Sequence, residues 1–106
     1  MKRQSFLVMA MLVCGCALIE QPTAELSAAR SAIADARTAG AAEWAPQELG
    51  SAETRLARAE AHARLRHYDE AVFFAQQAET DARLAAVKSR AAAAESSSGM
   101  RQQRPQ

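Results

Sequence analysis

Apolar side chains between residues 23 and 95 recur every three or four positions, which is the spacing of one face of an α-helix. This segment is dominated by alanine, with glutamate, arginine, glutamine and leucine, all of them strong helix formers. Two stretches interrupt the pattern, at 40–46 and at 66–69. The chain is therefore predicted to be all-α, with helices near 23–39, 46–65 and 69–94.

The two later helices are separated by a short connection and are predicted to form an antiparallel hairpin that follows the first helix. Each helix carries one narrow inward-facing stripe of mostly small residues. The stripes comprise Leu26, Ala29, Ile33, Ala36 and Gly40; Leu49, Ala52, Leu56, Ala59 and Ala63; and Tyr68, Ala71, Ala75, Ala78, Ala82 and Ala85. Small residues at these positions let helix axes approach to the low end of the usual range of about 8–10 Å.

The helix ends carry recognisable signals. Thr23 is predicted to cap the first helix and Gly40 to end it. Pro46 suits the first position of the second helix. Trp44 precedes the cap and is predicted to pack against Leu49 as a hydrophobic staple, which would leave it partly buried; the alternative is a solvent-exposed loop aromatic.

The N-terminal segment has the three parts of a signal peptide in order. Lys2 and Arg3 form a positive region, an apolar stretch follows, and Gly15 provides a small residue before Cys16. The run Val13-Cys14-Gly15-Cys16 resembles the lipobox of bacterial lipoproteins, which implies cleavage after Gly15 and lipidation of Cys16. The alternatives are an ordinary secretory signal cleaved near Ala17, or a buried core helix.

Acylation would consume the sulfur of Cys16 and leave the mature chain without a free thiol. An alanine, not an aspartate, follows this cysteine, and in Gram-negative lipoproteins that resemblance implies sorting to the outer membrane, facing the periplasm. The predicted organisation is a signal peptide at 1–15, a lipidated cysteine and tether at 16–22, a helical domain at 23–95 and a disordered tail at 96–106.

Charge and side-chain chemistry argue against several functions. The formal net charge is +1 and falls to −1 without Lys2 and Arg3, so a nucleic-acid partner is not expected. His62 and His67 lie five positions apart, off the spacing that places two metal ligands on one helical face, and are interpreted as surface residues. The pairs Glu60 with Arg64 and Glu79 with Arg83 favour helicity. No catalytic residues, metal, cofactor or small-molecule substrate is predicted; the covalent lipid is the one attached group.

Two adjacent aromatics suggest a surface for another protein. Phe73 and Phe74 point about 100° apart on a helix, so both cannot face one narrow seam. Val72, Phe73 and Phe74 are therefore a candidate interaction surface, for an envelope protein or a second copy of the chain; coverage of both rings by the first helix is the alternative. A competing hypothesis is a periplasmic carrier that holds an apolar ligand between Leu56, Phe74 and Leu84.

Around the second turn, Tyr68, Ala71, Ala75 and Ala78 resemble the latter half of a tetratricopeptide repeat. Arg66 stands where that family has a turn glycine, Ala75 where it has a bulky residue, and no second copy follows at a period of about 34 residues. The resemblance implies tetratricopeptide-like or coiled-coil-like packing of the hairpin, and no peptide-binding solenoid.

A resemblance to a second family covers most of the segment after the signal. It rests on Pro22-Thr23-Ala24-Glu25-Leu26, on Ala39-Gly40-Ala41-Ala42-Glu43-Trp44-Ala45-Pro46, on Tyr68-Asp69-Glu70-Ala71, and on Ala78-Glu79-Thr80-Asp81-Ala82-Arg83-Leu84-Ala85. These motifs resemble the bacterial lipoproteins called domain of unknown function 4398. The resemblance implies a small alanine-rich helical protein of the Gram-negative envelope with no settled activity.

Overall fold

A computed structural model of the chain describes residues 21–102. This part contains four helices and no strand. They are α1 (Thr23–Thr38), α2 (Ala41–Trp44), α3 (Pro46–Arg64) and α4 (Tyr68–Gln102). The all-α prediction is confirmed. The signal peptide at 1–15, Cys16 and most of the tether lie outside the described residues.

Ion pairs between helices give the direction of each helix. Glu48 and Arg55 of α3 pair with Lys88 and Asp81 of α4, so the sequence numbers run in opposite directions and these two helices form the antiparallel hairpin. Arg30 of α1 pairs with Glu60 of α3 at 3.0 Å. Since Arg37 also pairs with Glu53 at 2.9 Å, α1 is antiparallel to α3 and parallel to α4. The first helix therefore packs on the hairpin along its length and does not extend away from it.

The core consists almost entirely of alanine. Two clusters of buried residues run along the bundle, and Leu56 contacts both. The fully buried residue with the largest side chain is Ile33, which is 2% exposed and packs in the cluster that includes Ala82 and Ala85. The predicted stripes are confirmed for their buried members, whereas Leu56, Ala63, Tyr68 and Gly40 are half-buried. The core also includes positions that the stripes left out: Ala32, Ala41, Ala45 and Ala86.

The connection between α1 and α3 contains a helical turn that the sequence reading missed. Gly40 has φ +90°, and α2 begins directly after it. This turn places Ala41 and Ala45 in the core and leaves Trp44 40% exposed, with its ring near Gly40. The predicted partial burial of Trp44 is met, although the ring is well exposed, because α2 directs the fully buried positions of this segment to the two alanines. The packing of Trp44 against Leu49 stays a prediction.

Two helix ends differ in detail from the sequence prediction. Thr23 is the first residue of α1 and not its cap; Pro22 occupies the cap position and makes no capping side-chain hydrogen bond. At the end of α3, His67 N–H donates to the His62 carbonyl at 2.9 Å and Arg66 N–H donates to the Ala63 carbonyl at 3.1 Å. This is the hydrogen-bond pattern of a Schellman motif, with Arg66 (φ +63°) in the left-handed position that usually holds glycine.

The last helix continues through the segment that was predicted to be a disordered tail from residue 96. In the structure α4 continues through Ser96 to Gln102, and 103–106 lie outside the described residues. Ala92 and Ala93 are half-buried, and 94–99 are exposed. The difference has a physical reason: extending a formed helix is much easier than nucleating one, and the alanines before Glu95 favour extension into the serine run.

Candidate interaction surface

The outward face of α4 carries three large apolar side chains in solvent. Phe73 is 54% exposed, Leu84 is 50% exposed and Val87 is 61% exposed. Phe73 and Leu84 are eleven positions apart, about three helical turns, and Val87 follows one turn later, so all three lie on one side of the helix. We call Phe73, Leu84 and Val87 the outer stripe. The spacing could have been read from the sequence, but only the packing shows which face is outward.

The opposite face of α4 has the reverse character. Its buried apolar positions are all alanine, with exposed fractions of 4% or less. Ser89 is also fully buried, and its hydroxyl donates to the Ala85 carbonyl at 2.7 Å, so its polar group is satisfied inside the helix. α4 therefore presents small side chains to the bundle and large apolar ones to solvent.

The structure separates the members of the candidate surface formed by Val72, Phe73 and Phe74. Phe73 is exposed, while Val72 and Phe74 are half-buried. The Phe74 ring lies parallel to His62, with ring centroids 5.4 Å apart, and the Arg58 guanidinium lies 5.8 Å from the Phe74 centroid. Phe74 is thus held by contacts within the bundle, and the Phe73 ring lies at 74° to the Phe74 ring with the centroids 5.4 Å apart.

The apolar pocket predicted for a carrier does not form between Leu56, Phe74 and Leu84. Leu84 lies on the outer stripe, whereas Leu56 and Phe74 pack against the core. A groove of about 440 Å³ runs between α1 and α4 and is open to solvent. Its lining combines apolar residues with the charged residues Asp35, Glu79, Arg83 and Arg90, and includes none of the three residues predicted for a carrier.

The two histidines meet at the α3–α4 turn. Their ring centroids are 5.8 Å apart, and His62 is half-buried, which differs from the surface position predicted for it. The Nδ1 atom of His62 is buried and has no hydrogen-bond partner. Among residues 21–102, no group of three or more histidine, cysteine, aspartate or glutamate side chains is arranged to hold a metal ion.

The surface charges mostly connect one helix to another. Glu79 pairs with Arg83 as the spacing predicted, but Glu60 pairs with Arg30 of α1 and not with Arg64. The hydrogen bond from Lys88 is the largest of the effects that lower the pKa of Glu48. Four of the five ion pairs among residues 21–102 join different helices, so these contacts support the helix arrangement.

The start of α1 lies beside the α3–α4 turn. One groove of about 330 Å³ is lined both by the entering chain at Gln21 and Pro22 and by the turn residues Arg64 and Arg66. The chain before residue 21 therefore joins the bundle at the end that carries this turn. No helix within the described range is long and apolar enough to cross a bilayer.

The comparisons with known proteins agree with the resemblance in the sequence. A family model described as "Domain of unknown function (DUF4398)" matches residues 24–99. No curated protein and no solved structure matches the chain. The matched range includes α2, α3, nearly all of α1 and most of α4. Since that range covers more than half of the sequence, the chain belongs to the DUF4398 family.

Proposed function

We propose that this protein is a non-enzymatic lipoprotein of the Gram-negative envelope, held to the outer membrane by lipid on Cys16 and facing the periplasm. Its helical bundle serves as a structural or protein-interaction module. The observation that carries the interaction role is the outer stripe, in which Phe73, Leu84 and Val87 remain in water while alanines fill the interior.

The outer stripe suits a binding role for an energetic reason. Fully burying a Val, Leu or Phe side chain is worth about 1.5–3 kcal/mol, so three half-exposed side chains leave substantial apolar surface available to a partner. They stand on a helix that is anchored along its other face, so little ordering is needed on association. Aromatic and aliphatic anchors of this kind often dominate the energy of protein interfaces.

The lipid anchor is supported by the lipobox-like run that ends at Cys16 and by the positive and apolar segments before it. Two or three acyl chains make membrane attachment stable, whereas a single chain gives only marginal binding. A bundle without a membrane-spanning helix in its described part would depend on such an anchor for a fixed location.

Mass spectrometry of the protein purified from native membranes tests the anchor. We expect a mature chain that begins at Cys16 and carries a diacylglyceryl thioether, with Ala17 next. The Cys16→Ser variant should lack this mass and lose its normal membrane location. A native chain that begins elsewhere, or a variant whose location is unchanged, would remove the anchor from the proposal.

Site-specific photocrosslinking in intact cells tests the interaction role. A photoreactive amino acid at Leu84 should give a discrete adduct, and one at Thr54, an exposed position on α3, serves as the matched control. An adduct of twice the chain mass would identify a second copy of the protein, and a different mass would identify another envelope protein. Equal recovery of uncrosslinked monomer at both positions would contradict the outer stripe as a binding surface.

A further inference from the structure

The position of Cys16 relative to the bundle limits which end of the molecule can meet the membrane. Four residues lie between Cys16 and Gln21, so five Cα–Cα steps join them, and a fully extended chain of that length spans at most about 18 Å. α1 has 16 residues and is about 24 Å long. A lipid on Cys16 would therefore keep the entry end of the bundle near the bilayer, and the far end at α2 could not replace it.

The entry end displays the α3–α4 turn. Leu65 is 65% exposed, more than any residue of the outer stripe. It lies between Arg64 and Arg66, both exposed, and His67 follows. An apolar side chain between two guanidinium groups matches the boundary of a bilayer, where the aliphatic group can enter the interface and the cations can remain at the level of the phosphates.

The two arginines are available for such contacts. Within residues 21–102 neither Arg64 nor Arg66 has a carboxylate within ion-pair distance. The guanidinium group binds phosphate through paired hydrogen bonds. Glu25, Asp69 and Glu70 lie in the first turns of α1 and α4 at the same end, so these three carboxylates and the two arginines leave a net charge of −1. The contact should therefore depend on short-range phosphate binding more than on long-range attraction.

We propose that the α3–α4 turn, Arg64–His67, rests on the phospholipid headgroups, with Leu65 at the interface and the two guanidinium groups on lipid phosphates. The bundle then stands end-on, and α4, about 52 Å long, points away from the membrane with its outer stripe accessible. This inference rests on the proposed anchor at Cys16.

The main competing orientation is a bundle that lies flat on its outer stripe. That arrangement would place Leu84 and Val87 in the interface, but the neighbouring cations Arg83 and Lys88 already pair with Glu79 and Glu48. These cations are less available for lipid phosphate than Arg64 and Arg66. The turn therefore combines an exposed apolar side chain with guanidinium groups available to phosphate. The outer stripe has exposed apolar side chains, but its neighbouring cations are already paired with carboxylates.

Depth-dependent fluorescence quenching of the acylated full-length protein tests this orientation. One cysteine is introduced for labelling, at His67 in the turn, at Leu84 on the outer stripe or at Gln47 near the far end. Each labelled protein is reconstituted into vesicles of phosphatidylethanolamine and phosphatidylglycerol that contain brominated lipid. We expect quenching at His67→Cys to exceed that at Leu84→Cys and Gln47→Cys by at least about threefold.

The outcomes separate the two proposals. Failure of the unlabelled protein to remain with vesicles would overturn the anchor itself. Retention with strongest quenching at Leu84→Cys would show a flat bundle, and retention without quenching at any position would show a bundle held off the surface; either result overturns the end-on orientation and leaves the anchor intact.

A matched pair of variants tests the phosphate contact separately from folding. Arg66→Gly keeps the left-handed turn, since glycine is the residue that this position favours, but removes the guanidinium group. Combined with Arg64→Gln, it should reduce quenching at position 67 by at least about twofold, with an unchanged circular dichroism spectrum. The conservative pair Arg64→Lys and Arg66→Lys should retain part of the quenching. Unchanged quenching in the neutral pair would overturn the role of the arginines.

Discussion

The two faces of α4 reverse the usual distribution of side-chain size. On the inward face, Ala71, Ala75, Ala78, Ala82 and Ala85 are fully buried. On the outward face, Phe73, Leu84 and Val87 are each at least half exposed. Large apolar residues normally contribute most to a core, because buried apolar area drives folding. In α4 the three large apolar residues of the outer stripe instead contribute little to the buried core.

This contrast indicates that the two faces have different roles. Small inward residues allow three helices to pack closely around α4, and each such contact depends on the absence of extra methyl groups. Large outward residues add little to the stability of the isolated bundle. Substitutions on the inward side should therefore change folding, while substitutions on the outward side should change association.

The largest effect is expected where α1 covers the inward face. Ile33→Ala should destabilise the protein by about 2–5 kcal/mol, because it leaves a cavity at the fully buried site with the largest side chain. Leu84→Ala is the matched aliphatic truncation on the outward face and should change stability by less than about 0.5 kcal/mol. Urea denaturation followed by circular dichroism measures both. Similar decreases in the free energy of unfolding for the two variants would contradict the different roles of the two faces.

Overpacking the inward face should produce the next effect. Ala78 is fully buried in the cluster that includes Leu26 and Ala59, and the leucine side chain in Ala78→Leu would push adjacent helices apart at a cost of about 1–3 kcal/mol. Thr80→Leu, on the exposed side of the same helix, is the control and should leave the melting temperature nearly unchanged. A stable Ala78→Leu protein would indicate unfilled space in the core.

Two glycines extend the comparison to the backbone. At Gly40, φ is +90° and an added Cβ would lie 3.1 Å from Trp44 Cδ1, so Gly40→Ala should destabilise by about 1–2 kcal/mol. At Gly50, inside α3, an added Cβ meets no atom within 4 Å. Gly50→Ala should therefore stabilise by about 0.5–1 kcal/mol. Opposite shifts in thermal unfolding are expected, and equal shifts would contradict the difference in backbone conformation.

The smallest expected effect is the change in stability with pH that comes from the ion pair between Glu48 of α3 and Lys88 of α4, beside the outer stripe. The Lys88 hydrogen bond lowers the pKa of Glu48, so this pair stabilises the fold above the ordinary glutamate pKa and is lost as pH falls through the lowered value. Lys88→Gln should therefore lose slightly less stability than the native protein between about pH 5 and pH 3. The exposed position of the pair keeps the difference small. Identical acid titrations would contradict this contribution.

Much of the architecture follows from local sequence rules. The three- and four-residue spacing of alanine predicted the main helices and most of the buried stripes, and Gly40 marked the end of α1 as expected. Pro46 likewise marked the start of α3. Such features depend on periodicity and on backbone preferences of single residues, which act within a few positions of the chain. Cys16 and the signal features before it remain predictions from sequence.

Other features could be settled only by packing among three helices. The exposure of Trp44 and the pairing of Glu60 with Arg30 depend on how α1 and α2 are rotated against the hairpin. The separation of Phe73 from Phe74 depends on how α3 packs on α4, where a histidine of α3 stacks on the Phe74 ring. Helical periodicity places residues on a face but does not state which partner covers that face. The sequence by itself determined where helices form and which stripe is small enough to be buried; the tertiary structure decided which large side chains stay outside, because that depends on contacts between residues far apart in the chain.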